Sequence, residues 1–315
     1  MWRGPCNGVC PMSQPWIVIL AGGEGTRLRS LTRALYGADV PKQFAVLVGD
    51  KSLLQLTVER AARLTRFERI LVIVGTKREA LARIQLEPYP GVELVVQPRN
   101  LDTGPGLLLP LARILARDPD AHVAVLPSDH YVSDATPLLE ALRVDTRGRI
   151  TLLGVTPTAP EVEYGWIVAG KRIGRGRSFR IAHFVEKPVD AIAEELFRAG
   201  ALWNTFVQVG SASTYWALAR RYLPIHASVF EHYAESIGTA HERHELEQIY
   251  ERMSPANFSN DLLSHADTLA VIPIVGTGWS DWGSPKRVFQ SLAGSPDLDL
   301  LLARIREPRA MALAS

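Results

Sequence analysis

From Trp16 onward, apolar runs of strand length alternate with segments of helical period, and few folds accommodate that order. WIVIL (16–20), RILVIVG (69–75), VELVVQ (92–97), HVAVLPSD (122–129) and ITLLGV (150–155) are mostly apolar on both faces. Strands of that kind belong in a parallel sheet covered on both sides. Helical segments lie between them. One opens at Ser52, where SLLQ (52–55) has the Ser/Gln spacing of a capping box, and others run near 104–117 and 135–144. Repeated strand–helix–strand units require right-handed crossovers. They imply an α/β fold with a doubly wound, mostly parallel, Rossmann-like sheet flanked by helices. Ligands in such sheets bind beyond the carboxyl ends of the strands.

The pattern changes after about residue 155. YGWIVAG (164–170), FRIAHFVEKP (179–188) and WNTFVQVG (203–210) follow closely, with one helix near 189–199. A mixed or antiparallel extension of the same sheet fits them better than further crossovers. A largely helical stretch over 212–253 precedes a last strand, TLAVIPIV (268–275), and a helix after Ser284. The expected organisation is a disordered N-terminal extension over 1–15, one domain over 16–294 and a tail over 295–315. Within the domain, the halves meet near 155, with a mixed-sheet substrate lobe over about 156–294.

The 315 residues carry a net charge of +2, which gives no bulk electrostatic case for nucleic acid or a membrane surface. The two cysteines, Cys6 and Cys10, provide neither a disulfide framework nor a zinc site. No run reaches transmembrane length and the first residues do not read as a signal peptide, so the expected location is the cytoplasm.

The stretch ILAGGEGTRLRSLTRALYGADVPKQF (19–44) follows the first strand, where main-chain N–H groups can wrap a phosphate. A Walker A loop would end in Lys-Ser/Thr, whereas this one ends in Thr26-Arg27. A dinucleotide fingerprint starting at Gly23 would need Gly or Ala where Leu28 stands. A simple tight turn is the plainer alternative. Arg27, with its bidentate fork, and Lys42 just downstream favour a phosphate instead.

The order LAGGEGTRL, PKQF and SLLQLTVER resembles the N-terminal signature of the sugar-phosphate nucleotidylyltransferases, most closely their mannose-1-phosphate guanylyltransferase branch. TGPG (103–106), PSDH (127–130), YGWI (164–167), EKP (186–188), WN (203–204) and WSDWG (279–283) continue the resemblance in order. The fold it implies is that of the nucleotide-diphospho-sugar transferases, with a nucleotide half followed by a sugar-phosphate half. The implied reaction joins a nucleoside triphosphate, GTP, to a sugar 1-phosphate, mannose 1-phosphate, and releases pyrophosphate. The same reaction with another sugar or nucleotide, or a catalytically silent binding homologue, stays open.

Such a transfer needs in-line positioning, charge neutralisation and a divalent cation, Mg²⁺ or another. The resemblance implies Asp129 and Asp281 as metal ligands, each with the alternative of a turn or capping aspartate. It implies Arg27, Lys42 and Lys187 as catalytic cations. The nucleotide would meet Ala21, Gly22, Gly23, Gly25, Thr26, Arg27, Gln97, Thr103, Gly104 and Ser128. The sugar phosphate would meet Gly165, Glu186, Lys187, Asn204 and Asp261. Two departures stand out. The spacer RALYGADV (33–40) is longer than the family pattern, as a lid or a longer loop, and Phe206 stands where the family's W-N-S-G has glycine. The chain ends soon after the core, which sets the expectation of one activity without an isomerase-type domain. A homo-oligomer stays open.

Overall fold

The structure is a computed structural model and describes residues 14–307. Cys6, Cys10 and all but Gln14 and Pro15 of the expected extension lie outside that range, as do residues 308–315. Nine strands form one sheet: β1 (Trp16–Leu20), β2 (Ile70–Gly75), β3 (Glu93–Gln97), β4 (His122–Pro127), β5 (Ile150–Val155), β6 (Gly165–Arg172), β7 (Phe179–Glu186), β8 (Leu202–Ser211) and β9 (Leu269–Ile274). Their order is β3-β2-β1-β4-β8-β5-β9-β7-β6.

The first four strands are parallel neighbours, as their two-sided apolar sequences require. Their side chains divide between two buried clusters, one on each face of the sheet. The helices α1 (Arg29–Tyr36), α2 (Leu53–Ala62), α3 (Glu79–Leu86), α4 (Thr103–Arg117) and α5 (Thr136–Ala141) supply the crossovers and covering layers. The Ser52 cap forms as its spacing predicts: Ser52 Oγ accepts from Gln55 N–H, and Gln55 Oε1 accepts from Ser52 N–H.

The parallel order stops at β4. Strand β8 inserts between β4 and β5 and runs antiparallel to both, while β5 and β9 pair in parallel. The later strands therefore enter the middle of the sheet as well as extend its edge. Helix α6 (Asp190–Arg198) precedes β8. Helices α7 (Ala212–Tyr222), α8 (Pro224–Ala234) and α9 (Glu242–Arg252) fill the expected helical stretch, and a π-helical turn spans Phe258–Leu263.

Two segments differ from their sequence reading. The spacer at 33–40 continues α1 to Tyr36 and ends on Gly37, left-handed at φ 67°, whose N–H donates to Arg33 O. Tyr36 Oη accepts from Val46 N–H at 2.7 Å, so this segment is packed helix and cap. The stretch from 295, read as a tail, forms α11 (Pro296–Arg306) after α10 (Pro285–Leu292). Asp297 Oδ1 accepts from Gly49 N–H at 3.0 Å, and Leu301 is completely buried. Its single buried apolar residue left too faint a helical pattern to read. Leu301→Ala should destabilise the protein by about 2–4 kcal/mol in urea denaturation, the range for a leucine cavity that closes partly.

Candidate active site

The reversal of strand order around β1 opens a crevice between the carboxyl ends of β1 and β4. The glycine loop leaves β1 there, and Ser128, Asp129 and His130 leave β4. Ser128 Oγ donates to Leu20 O at 2.7 Å and ties the two exits together. The glycine loop is held from below by Gln43, whose Nε2 donates to Ala21 O at 2.9 Å and Gly23 O at 2.6 Å. Gly25 is left-handed at φ 58°, and a Cβ there would lie 2.8 Å from the Lys42 backbone N. Only glycine lets the loop pass that closely.

Lys42 is 4% exposed and stands at the centre of the crevice. Its Nζ lies 2.9 Å from Asp129 Oδ2 and donates to the Asp281 carbonyl at 2.6 Å. Asp281 is brought there by the 279–283 loop, which is fastened to the 128–133 loop. Tyr131 and Ser280 form a β-bridge, Tyr131 stacks on Trp282 at 4.4 Å, and Trp279 Nε1 donates to His130 Nδ1 at 3.2 Å. The Asp281 carboxylate accepts from Tyr164 Oη at 2.7 Å, from Arg287 at 2.9 Å and from Arg27 at 3.2 Å. Arg27 also pairs with Glu163 at 2.6 Å, and Arg287 with Glu161 at 2.6 Å.

These contacts decide the charge states. Burial opposes ionisation of Asp129, but the charge and hydrogen bond of the adjacent Lys42 outweigh it and hold the carboxyl below its ordinary value. Burial likewise opposes Asp281, and the Tyr164 hydrogen bond with nearby Lys42 and Arg287 depresses it. Burial lowers His130 despite the neighbouring Asp129, so its ring favours the neutral form. Among the described residues, no group of three or more His, Cys, Asp or Glu side chains is placed to hold a metal ion. Two ionised carboxylates are nevertheless the kind of hard-oxygen set that Mg²⁺ takes alongside substrate phosphates. The residues present fit that ion.

A cavity of about 690 Å³ adjoins the pair. Gly22, Gly23, Gln97, Thr103 and Ser128 line it together with Asp129. Gly25, Thr26, Arg27 and Lys42 line a smaller cleft of about 200 Å³ next to Asp129. Ala21 and Gly104 instead face protein. Ala21 is buried with its carbonyl on Gln43, and a Cβ on Gly104 would lie 2.7 Å from Ala256 O. On the other side, Glu186 and Asn204 converge on Gly165, where a Cβ would lie 2.6 Å from Glu186 Oε2 and 3.3 Å from Asn204 Cβ. Lys187 follows in the left-handed region at φ 45°, its N–H on Tyr164 O. Asp261 is turned away: its carboxylate accepts from Asn257 N–H at 2.7 Å on the exposed side of the π-helical turn.

Residues 17–294 match the family model described as Nucleotidyl transferase. The chain belongs to that family. It is 31% identical over 281 residues to the xanthan biosynthesis protein XanB of Xanthomonas campestris pv. campestris (strain ATCC 33913), covering 87% of this chain and 58% of that protein. It is also 31% identical over 282 residues to the mannose-1-phosphate guanylyltransferase RfbM of Salmonella typhimurium strain LT2, covering 85% of this chain and 56% of that one. The chain thus spans a little over half the length of these curated relatives. A solved structure titled mannose-1-phosphate geranyltransferase, from Thermus thermophilus, superposes with a TM-score of 0.77 at 32% identity, covering 90% of this chain and 80% of that one.

Several nucleotidyl transferase site residues were not legible as such in the sequence. Gln43 sits inside PKQF, and Tyr164 inside YGWI, but neither carries a role by residue type. Arg287 and Glu163 have no sequence signal. Ser259, two positions before Asp261 in the π-helical turn, is the buried residue of that turn that acts on the Glu186 carboxyl.

Burial raises Glu186 above its ordinary value of 4.5, against the opposing pull of Lys187 and Ser259. The unfolded chain then ionises first as pH rises. The resulting cost to stability sets in through the ordinary carboxylate range and is complete above the folded value. Glu186→Gln should therefore raise the melting temperature at pH 7, with the gain disappearing below about pH 4, as thermal melts at the two pH values would show.

Proposed function

We propose that this chain is a nucleotidylyltransferase that makes a nucleoside diphosphate sugar and pyrophosphate from a nucleoside triphosphate and a sugar 1-phosphate. We assign GTP and mannose 1-phosphate as the pair, on the similarity to guanylyltransferases named for that sugar phosphate. The observation that carries this reading is the convergence of Asp129 and Asp281 on one buried lysine beside the glycine loop. A pure sugar-nucleotide binder has no need of two depressed carboxylates at the phosphate end of its cavity.

In the reaction, a sugar-phosphate oxygen attacks the α-phosphorus of the triphosphate. The bond from that phosphorus to the bridging β-oxygen breaks and pyrophosphate leaves. Mg²⁺ held by Asp129 and Asp281 would neutralise phosphate charge and orient the α-phosphate. Lys42 is fixed by its two contacts and holds both aspartates in place. Arg27 is half exposed and exchanges Glu163 for phosphate oxygens, giving the departing pyrophosphate a bidentate partner. Glu186 and Asn204 accept and donate hydrogen bonds to sugar hydroxyls, and Lys187 reaches the sugar phosphate. Gln97 and Thr103 meet the nucleoside from the cavity wall.

Pyrophosphate release measured over a matrix of nucleoside triphosphates and sugar 1-phosphates with Mg²⁺ tests this. The wild type should turn over GTP with mannose 1-phosphate. Asp129→Asn should lower kcat by about 10²–10³, the scale for losing one charged contact to the transition state. No turnover with any pair sinks the enzymatic reading, and full activity in Asp129→Asn sinks the metal assignment.

A further inference from the structure

Strand β8 is interrupted where it meets β5. Leu152 faces Gln208 and Gly154 faces Asn204, so the single residue Leu153 opposes Thr205, Phe206 and Val207. This bulge is pinned on every side. Thr205 Oγ1 donates to Leu153 O at 2.7 Å, Val207 N–H donates to Thr205 Oγ1 at 3.2 Å, and Phe206 N–H donates to Asn204 Oδ1 at 3.1 Å. Thr205 and Val207 are buried and cannot relax outward. Phe206 at the apex is left-handed at φ 59°, a conformation that an aromatic residue rarely adopts. Bulges beside sites re-aim a side chain, and here the aim is definite. The Phe206 side chain lines the 690 Å³ cavity with Pro127, Asp129 and His130, while its neighbour Asn204 lies against Gly165 and Glu186.

We propose that Phe206 determines which sugar 1-phosphate the site accepts. Its ring, on the wall of the nucleoside cavity two residues from Asn204, would meet a sugar held by the Glu186–Asn204 pair. It offers an apolar face to a hexose ring with an unsubstituted, C–H-rich side, and it limits the room for bulky substituents on that side. A smaller residue would keep the bulge, which is held by Thr205 and the Asn204 hydrogen bond, and would remove only the wall. The inference deepens the nucleotidylyltransferase reading and rests on it.

The test compares kcat/KM for mannose 1-phosphate and for the bulkier N-acetylglucosamine 1-phosphate at saturating GTP and Mg²⁺. Wild type, Phe206→Gly and Phe206→Leu are measured side by side. Glycine takes a positive φ without strain, so the Gly variant should keep a wild-type circular dichroism spectrum. Its preference ratio should move by about 10-fold or more toward the acetamido sugar, a usual scale for opening an apolar pocket. The Leu variant, which retains apolar volume, should lie between. An unchanged ratio in both variants of an active enzyme overturns this inference alone. Absence of turnover by the wild type with every sugar 1-phosphate overturns the enzymatic reading and this inference with it.

Discussion

A buried ammonium group organises this molecule. A lysine withdrawn from water is unfavourable unless its charge and donors are met, and Lys42 is met by the Asp129 carboxylate and the Asp281 carbonyl. Those two contacts join the loop after β4 to the loop after β9, which lie far apart in sequence. The glycine loop crosses Lys42 at a distance only Gly25 permits, so a third segment is set by the same residue. Around this fixed centre the outer charges are exchangeable. Arg27 and Arg287 each share Asp281 with a second carboxylate, Glu163 and Glu161, nearer the surface. Four carboxylates (Asp129, Asp281, Glu161, Glu163) thus face three cations (Lys42, Arg27, Arg287).

The same region concentrates backbone strain. Among the described residues, the non-glycine positions with positive φ are Asp102, Arg147, Lys187, Phe206 and Trp282, and all but Arg147 border the crevice or the Glu186–Asn204 cluster. Such conformations cost of order 1–3 kcal/mol each and persist only where the surroundings over-determine them. Here the surroundings do. Trp282 is fully buried against Tyr131, and Asp102 holds the Asn257 amide while its neighbour Thr103 accepts from Phe258 N–H.

What the sequence made legible follows from which interactions are local. The strands β1 to β4 were readable because burial on both faces leaves no polar alternation, and the Ser52 cap because it needs only a four-residue pattern. The insertion of β8 beside β4 was not readable, since nothing in WNTFVQVG names its partners. Motif order brought Arg27, Lys42, Asp129 and Asp281 to one place, and Glu186 with Asn204 to another. It failed where a residue type admits two jobs. Ala21 and Gly104 sit in matching segments yet serve the packing beneath the cavity, and Asp261 caps its own turn. Arg287 escaped because its role exists only through Asp281, six residues earlier across a left-handed tryptophan.

The antiparallel course of β8 explains how one edge of the sheet gathers both the loop after β4 and the Glu186–Asn204 pair. In a purely parallel sheet, only strand carboxyl ends reach the ligand edge. Because β8 runs against β4, with Gln208 opposite Val125 and Ser211 opposite His122, its first residues project beyond the carboxyl end of β4. Asn204 and Phe206 therefore arrive at the crevice from the start of a strand, next to Asp129 and His130 from the end of another. Strand β6 pairs with that same start through Trp166 and Ile167, so Gly165 is delivered to Asn204, and β7 brings Glu186 opposite Gly165. A single reversal of strand direction thus places Glu186 and Asn204 against the loops after β1 and β4, with no hinge or second domain among the described residues needed to bring them together.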